Sequence, residues 1–500
     1  MFDNLILGAQ VALHWNNLLY AFAGVFIGNL IGVLPGIGAM AAISMLLPMT
    51  YGIPPVAALM MLAGIYYGTS FGGATTSILL NLPGTATHAV VCLDGNPMAK
   101  QGRGGQAIFM AMFASFVGVT VGIIIMAAAS IPITELAFKF GPQEYFSLMV
   151  LALIAASVIG SGETLKGIAS VILGLLIGVV GLDITTGTPR FDFGLISLQE
   201  GVSLVALAMG LFGISDVFTS AGNIGEGSAD AGGKKITAKS VRPSGDDFRR
   251  STLPIARGFG IGAFLGALPG TGGTLASFMS YSLEKKLSKH PEKFGTGEIE
   301  GVAGPESANS SASITAFIPT LTLGVPGDAV MALMLGALVI HDIIPGPNIL
   351  ANQPELFWGL IASFWIGNVL LMILNIPFIS LWVRLLSVPY RLIFPVVLCL
   401  ICLGVYSEKY SLFDVAVVGI IGGAGVLFAK IGMQPGPILL GFVLGPMLEE
   451  NFRRSLVIAR GSLMSFIERP ISGVCLGICA LILLWMGRDA IKRRRRPRPT

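Results

Sequence analysis

Two short stretches hold the residues most suited to binding chemistry. GVLPGIGAM spans residues 32–40 and GALPGTGGT spans 266–274. Proline and glycine interrupt a helix, and the helix that restarts after them exposes unpaired N–H groups at its new N-terminus. Those groups and the helix dipole favour an anion, and glycine lets a ligand approach the backbone closely. The candidates for this role are Gly36, Gly38, Gly270, Thr271, Gly272 and Thr274. Each motif is followed by a polar cluster. SFGGATTSILLNLPGTATHAV (70–90) supplies Ser70, Gly72, Gly73, Thr75 and Thr76. The segment around SSASITAFIPTLTLGVPGDAVM (310–331) supplies Ser307, Asn309, Ser310 and Ser311. Hydroxyls donate to an anion, and amides donate or accept. Carbonyls freed at the opposite helix ends suit a cation, and Asn81, Gly84, Gly327 and Asp328 are the candidates for ion coupling. The bland alternative is that small residues let membrane helices pack closely, with Ser and Thr bonding across the interface. That alternative is favoured for any single Ser or Thr, whereas the paired breaks beside polar clusters favour a site.

Glu306 and Asp328 are the acidic candidates, since an intramembrane carboxylate is a functional suspicion by default; a cap or a turn is the balanced alternative for each. His88 and His341 are isolated in the sequence, and no proton relay is assigned to them. Lys100, Arg103, Lys166, Arg190 and Lys430 read as loop or interface residues.

The elements that must position these groups are membrane helices. The chain has 500 residues, 54% hydrophobic and 12% charged, with a mean hydropathy of +0.80. Soluble domains carry about 25% charged residues. Runs such as VILGLLIGVVG do not alternate, which excludes a strand-based barrel. The fold class expected is all-α: a polytopic membrane protein of about eleven or twelve crossings plus broken or re-entrant segments.

The polar stretch 218–252 divides the chain. The blocks on its two sides match in order: Pro35 with Pro269, then Pro83-Gly84 with Pro326-Gly327. The expected organisation is a first repeat over 1–217, a basic linker over 218–252, a second repeat over 253–469, and a final helix with a basic tail over 470–500. Broken segments at corresponding places in two halves point to a secondary transporter, with inverted repeats as the expected symmetry.

The net charge is only +4, but Lys234, Lys235, Lys239, Arg242, Arg249 and Arg250 and the tail DAIKRRRRPRPT concentrate it. Both stretches are expected on the cytoplasmic side. The tail reads as an anchor meeting anionic membrane lipids, with no nucleic-acid partner. No cleavable signal is expected at MFDNLILGAQ. The five cysteines read as small buried residues, including the CxxC pair Cys399 and Cys402. No GxxxxGK[ST] or HExxH motif appears, so neither direct ATP use, nor an enzyme, nor a metal site is expected. No cofactor is expected, and the candidate co-transported species are a sodium ion or a proton.

The strings GVLPGIGAMAAISMLLPMTYG, GIYYGTSFGGATTSILLNLPGTATHAVVCLDGNPMAKQG, GLDITTGTPRFDFG, GALPGTGGTLASFMSY and GPESANSSASITAFIPTLTLGVPGDAVMALMLGAL resemble the large membrane subunit of the tripartite tricarboxylate transporters, the TctA family. The resemblance runs from about residue 15 to about 465, and the basic tail is its main departure. It implies a multi-pass protein of the bacterial inner membrane that takes up di- or tricarboxylates of the citrate kind, driven by a sodium or proton gradient. It also implies two partners: a small membrane subunit of about four helices, and a periplasmic solute-binding protein that delivers the ligand. A stand-alone organic-anion permease or channel without partners is the alternative. The resemblance supplies no residue list, so the site candidates rest on the breaks alone.

Overall fold

The computed structural model describes residues 2–34, 38–83, 85–159, 164–183, 186–215, 218, 241–385 and 390–495. Two site candidates, Gly36 and Gly84, lie outside the described residues, as do positions 219–240 of the linker. The described residues are helical apart from loops and one two-residue antiparallel pairing, Gly181–Leu182 with Pro189–Arg190. In hydrocarbon a helix satisfies its own backbone groups, which is why such apolar runs fold this way. Five segments among the described residues are long and apolar enough to cross a membrane: Trp15–Val33, Pro55–Leu80, Ala86–Ala137, Pro354–Asn375 and Leu412–Lys430. The third is interrupted at Gly102, whose φ is 81°. Shorter apolar helices such as Ala39–Thr50, Leu204–Ile214 and Ala329–Ile340 accompany them.

The chain forms two compact units, residues 1–134 with 203–427, and residues 135–202 with 428–500. Each unit takes chain from both sides of the linker.

In the first unit, helix α1 (Trp15–Val33) is followed by a break, α2 (Ala39–Leu46) and α3 (Pro55–Leu80). The turn after α3 leads into α4 (Ala89–Met98) and α5 (Gly104–Ala137). The same order then recurs as α6 (Gly245–Gly266), a break, α7 (Gly272–Leu287) and α8 (Glu300–Thr315), with α9 (Ala329–Ile340) beyond. The packing recurs too. Gly24, Gly28 and Gly32 lie with their Cα atoms against the backbone of Met61, Ile65 and Thr69. Gly258, Gly262 and Gly266 lie against the backbone of Gly304, Ala308 and Ala312 in the same four-residue rhythm. A Cβ at any of these glycines would fall inside a carbonyl oxygen. Small residues on one stripe thus bring α1 onto α3 and α6 onto α8 at backbone contact.

The second unit is built from Pro142–Ile159, Thr164–Gly178, Pro435–Ile458 and Pro470–Arg495. Gly174 and Gly178 admit the backbone of Ile438 and Phe442. Its ion pairs join Arg453 to Asp183 at 3.0 Å, Arg190 to Glu449 at 2.9 Å and Arg469 to Glu144 at 3.1 Å.

Candidate functional site

The first-half break joins the end of α1 to α2, where Gly38 is the extended N-cap (φ −80°, ψ 174°) and no side chain caps the helix. The second-half break joins α6 to the sixteen-residue α7, and its N-cap Thr271 likewise gives no side-chain cap. Thr271 instead turns its hydroxyl backward. It donates to the carbonyl of Leu265 and, at 3.0 Å, to that of Leu268, so it closes the end of α6. The first amides of α7 are left without a capping side chain, and an uncapped N-terminus is the part of a helix that attracts negative charge.

Residues from distant parts of the first unit gather around this end. The N–H of Gly270 donates to the carbonyl of Gly327 at 2.9 Å, which ties the break to the Pro-Gly turn before α9. Gly272 lies directly against Asp328, and Gly273 against Asn309 Oδ1 with Thr87 just beyond. Asn309 in turn donates its Nδ2 to Ser70 Oγ at 3.0 Å. Of the sequence candidates, the fold therefore brings together Ser70, Gly270, Thr271, Gly272, Asn309, Gly327 and Asp328.

Asp328 serves two neighbours at once. One oxygen caps α9 by accepting the N–H of Met331 at 2.8 Å, and the other accepts the hydroxyl of Tyr66 at 3.2 Å. A charged Asp328 beside the α7 N-terminus repels an incoming anion.

Other candidates do different work. Thr76 donates to Val33 O at 2.7 Å, which fastens α3 to the end of α1. Gly72 lies against the Asn29 carbonyl as a packing residue. Gly73 accepts the hydroxyl of Ser77 through its carbonyl at 2.8 Å. Thr75 is buried in α3, and Thr274 is half-buried on the first turn of α7. Ser307 donates to Ile255 O at 3.0 Å across the α6–α8 contact. The hydroxyls of Ser310 and Ser311 are buried and have no hydrogen-bond partner among the described residues. Asn81 is exposed and caps α3 in the left-handed region (φ 57°). Gly324, three residues before Gly327, holds the same conformation (φ 66°); at both positions the φ sign explains the Asn or Gly.

Several polar groups in this region were given no role from sequence. Tyr66 holds Asp328. Thr85 Oγ1 lies 2.7 Å from both Thr87 Oγ1 and His88 Nδ1. Both amide atoms of Asn29, in the last turns of α1, are buried without a partner among the described residues. A lone Asn in AFAGVFIGNLIGV was a visible signal, because a polar side chain in such a run needs a reason. His88 and Tyr66 carried no such signal, since only the fold sets them beside acidic groups.

The family description "Tripartite tricarboxylate transporter TctA family" matches residues 18–440. An uncharacterized 52.8 kDa protein in the TAR-I ttuC′ 3′ region of Agrobacterium vitis is 48% identical over 97% of this chain and 96% of its own length. An uncharacterized protein in the TAR-II ttuC′ 3′ region of the same organism is 52% identical, over 45% of this chain and 93% of its own length. An uncharacterized protein of Methanocaldococcus jannaschii is 26% identical over 40% of this chain and 47% of its own. No solved structure matches. The match across most of the chain and the helical membrane fold agree: this chain belongs to the TctA family, as the large membrane subunit of a tripartite tricarboxylate transporter.

Proposed function

We propose that the chain is the permease for a small di- or tricarboxylate of the citrate kind, taken up against its gradient at the expense of a sodium or proton gradient. The solute is handed over by a periplasmic binding protein, and a small membrane subunit of about four helices completes the assembly in the bacterial inner membrane, with the basic linker and tail on the cytoplasmic side. The observation that carries this proposal is the uncapped N-terminus of α7 bordered by Asn309, Asp328 and the Thr87 methyl, with Asn309 bonded in turn to Ser70. Amides and hydroxyls replace the water around the carboxylate groups. Asp328 supplies the reason for coupling, because an anion and this carboxylate share the space only with a cation or proton between them.

The test is uptake into proteoliposomes that carry this chain with its small membrane subunit, with the binding protein added outside. A panel of labelled di- and tricarboxylates is offered under a sodium gradient, a proton gradient or neither. Accumulation that needs one gradient and the binding protein supports the proposal. Gradient-independent, non-saturating flux without the binding protein favours the channel alternative.

A further inference from the structure

Next in the chain to Thr87, which borders α7, His88 faces Glu306 inside the first unit. Their side chains are 0% and 1% exposed, and His88 Nε2 lies 3.7 Å from Glu306 Oε1. Neither of those two facing atoms has a hydrogen-bond partner among the described residues. The far sides of both groups are anchored. Glu306 Oε2 accepts the hydroxyl of Ser115 from α5 at 3.1 Å, and His88 Nδ1 lies 2.7 Å from Thr85 Oγ1. Each ring or carboxyl is thus held from behind with its free atom presented to the other.

We propose that this pair is the proton-binding site through which a proton gradient drives the carrier. With one proton on the pair, it is neutral overall and the proton rests on Glu306, because two separated charges at 3.7 Å in a fully buried site are costlier than two neutral groups. With none, Glu306 is a buried anion without a countercharge, a state that burial makes costly. Among the described residues no lysine or arginine is paired with Glu306. The other ionisable groups on the packed elements do not neutralise it. Cys92 on α4 only adds negative charge on ionising. Asp94 is bonded by Tyr281 at 2.9 Å, and Glu284 is paired with Arg257. An enclosed pair therefore keeps its proton, and releases it to the nearest acceptor water when the site opens. The proton moves as H⁺ between solvent and the pair; no bond between heavy atoms changes.

Position links the pair to the solute. Glu306 lies three residues before Asn309 on α8, and His88 one residue after Thr87, which borders Gly273. Protonation draws the acid and the imidazole together across their present gap, and that movement acts on the same helix and turn that enclose the α7 end. This inference rests on the carboxylate-transport proposal for its driving role, but not for the proton site itself.

Two measurements separate them. Infrared difference spectra of the purified chain in nanodiscs, titrated with pH, report a protonated buried carboxyl through its C=O stretch. The band is expected in the wild type, lost in Glu306→Gln and shifted in His88→Gln. Its absence, or its persistence in Glu306→Gln, overturns the proton site whatever the chain transports. In proteoliposomes of the complete transporter loaded with citrate, both variants are expected to lose accumulation driven by a proton gradient while keeping citrate exchange at equal pH. Wild-type accumulation in Glu306→Gln overturns the driving role. Loss of both exchange and accumulation, in a variant whose wild-type melting temperature shows it folded, also overturns it and assigns the pair to solute binding.

Discussion

Asp94→Ala tests how the second-half helix α8 is anchored. Asp94 is 0% exposed. Its Oδ1 accepts the N–H of Gly295 at 2.8 Å and those of Gly297 and Glu298 at 2.9 Å each. Its Oδ2 accepts the Tyr281 hydroxyl at 2.9 Å. Three amides converge on one oxygen because Gly295 (φ 92°) and Gly297 (φ 113°) take backbone angles open mainly to glycine. A hydrogen bond to a charged acceptor contributes about 1.5–3 kcal/mol net. The Gly295 and Gly297 amides lie where water can replace the carboxylate, so only the buried bonds, from Glu298 N and Tyr281, count fully. That gives about 3–6 kcal/mol for holding this loop closed. Opening that costs this much less exchanges its amides faster by about two to four powers of ten. Hydrogen exchange followed by mass spectrometry on peptides covering 293–299 reads that change directly. Asp94→Asn, which keeps one acceptor oxygen, is expected to fall between wild type and Asp94→Ala. Exchange at 295–298 that is unchanged in Asp94→Ala refutes the reasoning.

Gly262→Leu places a side chain into the backbone of Ala308; overpacking of this kind costs about 1–3 kcal/mol or more, so a clearly lower melting temperature in detergent is expected, and an unchanged one contradicts the close packing of α6 on α8. Asn309→Ala removes the bond to Ser70, and saturable solute uptake is expected to fall while the melting temperature changes by little; uptake at the wild-type level counts against the site. Asn81→Gly keeps the left-handed cap and is expected to change stability by only a few tenths of a kcal/mol, whereas Asn81→Val is expected to cost about 1–2 kcal/mol; equal melting curves for the two variants contradict the cap. In the second unit, Arg453→Ala leaves Asp183, which it bonds through both nitrogens at 3.1 and 3.0 Å, with a weaker set of partners, and a lowered melting temperature is the expected readout.

Much of the fold was legible because membrane physics leaves few options. Apolar runs of this length must be helices, and GALPGTGGT had to interrupt one, as it does between Gly266 and Gly272. The pairing of Asn309 with Gly273 and Ser70 was anticipated only as two clusters in separate halves. Nothing in the spacing of residues says which hydroxyls are spent on the backbone. Thr76 and Ser307 look like Ser70 in the sequence, yet they bond Val33 and Ile255, because they lie on the helix faces that meet α1 and α6. Thr271 looked like a ligand donor and closes α6 instead. The compact units were not visible at all: each joins chain from both sides of the linker, and a boundary set by contacts leaves no mark on local composition. His88 was discounted as isolated, and so it is along the chain; the carboxylate that faces it lies on α8.

The most direct test of the transport site is a structure of the transporter determined with citrate bound. The ligand is expected at the N-terminus of α7, with a carboxylate within hydrogen-bond reach of the Gly272 and Gly273 amides and of the Asn309 side chain. Citrate bound away from α7, with that helix end facing lipid or occupied by neighbouring side chains, would contradict the account.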